Sequence, residues 1–85
     1  MKVEEMIKYY SNNYGICIYE KFNEEDQRKR YYEICFPIFT KDYILPIETK
    51  TRLEKKPSDV RQFIEQQLFN NENYKEQCKK WITTY

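Results

Sequence analysis

Val3, Met6, Ile7 and Tyr10 recur at i, i+3, i+4 and i+7, one stripe of a helix, while Lys2, Glu4, Glu5 and Lys8 occupy its other sides. Ser11-Asn12-Asn13 should end this helix, because short polar side chains compete for backbone hydrogen bonds. Gly15, the single glycine of the chain, stands at the junction to the next element, where a turn or a close backbone approach calls for it. The period then changes. Residues 14–22 and 31–39 are rich in β-branched and aromatic side chains and read as two strands. The wholly polar stretch from Asn23 to Arg30 between them should be an exposed hairpin loop. A third strand is expected over residues 43–51, after a Thr40-Lys41-Asp42 turn.

The pleat makes the pairing testable, since a one-residue slip would move every side chain to the other face. Pairing Ile18 with Ile34 and Ile16 with Phe36 gathers Tyr14, Ile16, Ile18, Tyr32, Ile34, Phe36 and Ile38 on one face. Pairing Phe36 with Leu45 and Ile34 with Ile47 adds Tyr43, Leu45 and Ile47. The opposite face then carries Cys17, Tyr19, Lys21, Tyr31, Glu33, Cys35, Phe39, Ile44 and Glu48. Pro46 suits an edge strand, and Pro37 in the central strand demands a bulge or pairing that stops before it.

Pro57 marks a boundary, with Ser58 as the expected N-cap and Asp59 in the first turn of the next helix. Val60, Phe63, Ile64 and Leu68 repeat at helical spacing, Asn70-Asn71 interrupts, and Tyr74, Cys78, Trp81, Ile82 and Tyr85 resume it. These are two helices or one kinked one. The expected fold is a small α+β domain over residues 1–85, order α-β-β-β-α-α, with helices packed on one face of a three-stranded antiparallel sheet. The element order α-β-β-β-α resembles that of the double-stranded-RNA-binding fold. The chain lacks that fold's small-residue pattern and extended lysine cluster, so the likeness stops at topology and no residue role is transferred.

Fifteen basic residues nearly cancel fourteen acidic ones, which argues against a uniformly basic DNA-coating protein and against an acidic DNA mimic. Three widely spaced cysteines, Cys17, Cys35 and Cys78, fit reduced thiols and a cytoplasmic location better than a disulfide framework. No apolar run approaches the roughly 18 residues of a membrane span. The chain has no His, which removes the commonest general base, the serine triad and most zinc sites. No glycine-rich phosphate loop is present either. The expectation is therefore a protein that is not an enzyme, with no catalytic residues, no cofactor and no metal.

What remains is a surplus of aromatic residues, 18% of the chain. Tyr19, Tyr31 and Phe39, with Lys21, Arg28, Lys29 and Arg30 nearby, are the candidate partner-binding residues. Tyrosine and arginine dominate interface energetics. The bland alternative is that the C-terminal helix, through Tyr74, Trp81 and Tyr85, covers this face. The expected partner is another protein, in the manner of the small inhibitors and adaptors that bacterial viruses and mobile elements encode. The biased composition, rich in Lys, Glu, Ile and Tyr, resembles that of AT-rich genomes. A second copy of the chain could occupy the same face as a homodimer. Nucleic acid is the alternative partner, because basic side chains interleaved with rings also describe a single-strand platform. A redox pair of Cys17 and Cys35 is a third reading.

Overall fold

A computed structural model describes residues 2–25, 29–40 and 45–84. Three helices and a three-stranded antiparallel sheet follow the order α1 (Val3–Tyr14), β1 (Cys17–Phe22), β2 (Arg30–Ile38), β3 (Glu48–Glu54), α2 (Pro57–Phe69) and α3 (Glu72–Thr84). The sheet order is β1-β2-β3, so β2 is central. This is the expected small α+β fold with order α-β-β-β-α-α.

The apolar stripe of α1 buries Met6, Tyr10 and Tyr14. The helix runs through Ser11-Asn12-Asn13 rather than ending there. It stops at Gly15, whose φ of 68° places it in the left-handed region. Tyr14, expected at the start of a strand, is thus the last helical residue, yet it still joins the core. The first hairpin pairs as expected, with Ile18 opposite Ile34. Ile16, Ile18, Tyr32, Ile34 and Phe36 all bury on one face, under Val60, Ile64 and Leu68 of α2 and Cys78 of α3. Helix α2 begins at Pro57, with Lys56 rather than Ser58 as its N-cap, because proline is preorganised for the first helical position. Asn71 caps α3, its side-chain oxygen accepting the Tyr74 N–H at 3.1 Å. The C-terminal segments are therefore two helices, and Tyr85 lies outside the described residues.

The third strand departs from expectation. Phe36 pairs with Lys50 and Ile34 with Arg52, not with Leu45 and Ile47. The odd displacement reverses the parity of β3. Lys50, Arg52 and Glu54 share the face of the core, while Thr49, Thr51 and Leu53 take the opposite one. Pro46 falls in the connection before β3, and Ile47 is 58% exposed. Tyr43 and Ile44 lie outside the described residues. Arg52 replaces an apolar residue by laying its guanidinium 4.1 Å from the ring centre of Phe63, at the edge of the core.

Pro37 sits in the central strand without a bulge in its pairing to Thr49. The Ile38 carbonyl accepts the Ile47 N–H at 2.8 Å, so by alternation Pro37 points away from β3. On that side β1 has already ended, with Cys17 opposite Cys35. The missing N–H therefore has no partner to lose, and the Pro37 carbonyl accepts the Tyr74 hydroxyl of α3 at 2.7 Å. Tyr74→Phe should cost about 1–2 kcal/mol by urea unfolding, since it leaves this carbonyl without its donor. An unchanged midpoint would mean that water replaces the hydroxyl at no cost.

Candidate functional site

All three helices gather on the core side of the sheet: α1 packs on β1 and α3, and α2 on β2, β3 and α3. Among the described residues nothing packs over the centre of the other side. There Tyr19 is 51% and Leu53 61% exposed, separated by Glu33, which pairs with both. Cys17, Cys35, Tyr31 and Glu33 are half-buried between them, and Thr49 and Thr51 are exposed on β3. Helix α3 does not cover this face. Its Trp81 turns instead toward Gly15, and its Tyr74 toward the end of β2.

Lys21 pairs with Glu33 across the hairpin at 2.8 Å. The shared hydrogen bond lifts the Lys21 ammonium above its ordinary range and holds the Glu33 carboxyl below its own. The middle of the face is thereby locally neutral. Cys17 stands opposite Cys35 as expected, and both are free thiols. Burial raises the pKa of Cys35, and the Glu33 carboxylate raises it further, with the Cys35 thiol donating to Glu33 at 3.7 Å. That environment favours the protonated thiol over the nucleophilic thiolate.

The cations lie at the end of the face. Lys29 and Arg30, leading into β2, meet Lys55 and Lys56, leaving β3, around a cleft of about 750 Å3 that Tyr31 and Leu53 also line. The sheet register brings these two pairs together, because Tyr32 stands opposite Glu54. Arg30 is not on the open face. Alternation turns it to the core side, where it pairs with Glu20 at 2.8 Å and lies over Phe22. Arg28 lies outside the described residues.

Two residues assigned to the open face belong elsewhere. Phe39 follows the last residue of β2, so the pleat no longer governs it. It packs on the core between Tyr74 and Trp81, with ring centres 6.1 and 6.0 Å away. Glu48 pairs with Ile38 and takes the core side of the edge strand. Conversely, Leu53, Thr49 and Thr51 were missed. The alternation of Thr49 and Thr51 in an otherwise charged run was the one sign of a polar edge strand there.

Among the described residues no three His, Cys, Asp or Glu side chains gather as a metal site, and no helix is long and apolar enough to cross a membrane. Asn23 uses its side-chain oxygen to accept the Glu25 N–H at 2.9 Å, a local turn at the hairpin end. Compared with protein-family models, curated proteins and solved structures, the chain finds no match.

Proposed function

We propose that the protein is a non-enzymatic binding module that grips another protein through the uncovered side of its sheet. The supporting observation is the exposure of Tyr19 and Leu53 on a face that no described helix packs against. A rigid ring and a branched aliphatic side chain on a β-scaffold lose little entropy on binding, and such anchors carry most interface energy. The threonines of β3 supply polar contacts beside these anchors, and the Lys21–Glu33 pair leaves the ground between them without net charge. A small inhibitor or adaptor of the kind encoded by bacterial viruses or mobile elements is the role that size and composition suit best.

Affinity purification from the native host, wild type beside Tyr19→Ala/Leu53→Ala, tests this reading. The double variant should keep its unfolding midpoint and bind its partner about a hundredfold more weakly. Undiminished capture would remove this face from consideration. A dimer in sedimentation equilibrium, abolished by the same variant, would identify the partner as a second copy.

The meeting of Lys29, Arg30, Lys55 and Lys56 favours nucleic acid as a second reading. Four phosphate contacts would weaken binding about a hundredfold between roughly 50 and 200 mM salt. No gel shift at low salt eliminates it.

A further inference from the structure

On the core side of the sheet, where the turn between α2 and α3 stands away from β3, a cleft of about 480 Å3 opens. Its volume falls within the roughly 300–1,000 Å3 of small-molecule sites. Phe39, Phe63 and Tyr74 supply its apolar walls, Gln67 a carboxamide, and Lys50 and Arg52 two cations, and among the described residues no carboxylate lines it.

The walls are fixed before any ligand arrives. The Tyr74 hydroxyl is held by the Pro37 carbonyl, and its ring abuts Phe39. Phe63 lies between Phe36, at 5.7 Å, and the Arg52 guanidinium. Glu54 accepts the Arg52 Nε hydrogen bond at 2.9 Å, which orients the fork and makes no use of its terminal nitrogens. Lys50 makes no ion pair among the described residues. Lys50 and Arg52 are two apart on one face of a strand, about 6–7 Å between Cα atoms, a spacing that lets one anionic group meet both.

We infer that this cleft binds a small aryl carboxylate or aryl phosphate, its ring among Phe39, Phe63 and Tyr74 and its anion between Lys50 and Arg52. Preorganised aromatic walls remove part of the entropic cost of binding, and the cations supply charge-assisted hydrogen bonds. The site lies on the other side of the sheet from the protein-binding face and does not depend on it.

Amide NMR titration with naphthoate and phenyl phosphate, and with naphthylmethanol as the neutral control, tests the inference. Both anions should give saturable shifts at Lys50, Arg52, Phe63 and Tyr74. Lys50→Met, at an exposed position, should weaken naphthoate about tenfold and leave naphthylmethanol unchanged. Arg52→Lys, which keeps the charge and loses the fork, should weaken naphthoate as well. In wild-type protein alone, naphthoate affinity should fall with added salt and that of the alcohol should not. No saturable shifts, shifts confined to Lys29, Lys55 and Lys56, or equal affinity for acid and alcohol would overturn the site.

Discussion

Gly15→Ala should destabilise the protein by about 2–5 kcal/mol, from two separable causes. The first is the backbone: φ is 68°, a region that L-residues enter at a cost of about 1–2 kcal/mol. The second is Trp81, whose ring lies where the new methyl must go. Its Cζ3 would overlap that carbon, and its Cε3 would be 2.7 Å away. The conformation at Gly15 also directs two hydrogen bonds that end α1, from the Gly15 N–H to the Ser11 carbonyl and from the Ile16 N–H to the Tyr10 carbonyl. A chain of 85 residues has a total stability of about 4–13 kcal/mol, so the melting temperature should fall by about 10–30 °C. Adding Trp81→Leu should recover the steric share and leave the backbone share, a non-additivity that urea unfolding of the four proteins measures. A loss below about 0.5 kcal/mol for Gly15→Ala would show that Trp81 does not seat against this turn.

Alkaline pH should unfold the protein well before ordinary side chains would account for it. Burial pushes the Cys78 thiol up to about 11 from an ordinary value near 9. Burial likewise raises Tyr10, whose hydroxyl donates to the Glu65 carboxylate at 2.5 Å, and Tyr74, deep beside the end of β2. In all three the folded state keeps its proton longer than the unfolded state. Their stabilising share is complete below the unfolded value and disappears as pH rises through the folded one. For Cys78 that window runs from about 9 to about 11, and the share lost is about 2–3 kcal/mol. The tyrosines steepen the decline above about pH 10. Urea midpoints should be flat near neutrality and fall steeply above pH 9 or so, and Tyr10→Phe should flatten the alkaline slope. A midpoint constant up to about pH 11 would mean that these groups do not titrate from a buried state.

The two strands of the first hairpin were legible because isoleucines alternate in both, so only one register buries them together. The helices were legible from their stripes, apart from their ends. Ser11-Asn12-Asn13 did not stop α1, because the left-handed turn at Gly15 provides a better terminus one residue beyond Tyr14. The third strand was legible in its existence and its place in the order, but not in its bounds or register. Tyr43, Leu45 and Ile47 alternate as a buried strand would, whereas the true strand reads Glu-Thr-Lys-Thr-Arg-Leu-Glu. An edge strand needs little apolar surface when Lys and Arg stems cover the rim of the core, and charge on an edge discourages association with other sheets. That misreading propagated into the site. The open face was correct on β1 and β2, where Tyr19 and Tyr31 stand, and wrong beyond them, where Leu53 stands opposite Glu33 in the place expected for Glu48. The cleft beside Lys50 and Arg52 was invisible for the same reason, since it exists only in the shifted register.

A hairpin whose apolar residues alternate can slide by two positions and keep every side chain on its proper side. Pro37 acts as a mechanical stop against that error. Were β1 to advance until Cys17 met Pro37, its leading carbonyl would face a nitrogen with no hydrogen, and the Tyr74 hydroxyl would be evicted from its acceptor. The proline in the middle strand thus bars β1 from slipping in that direction.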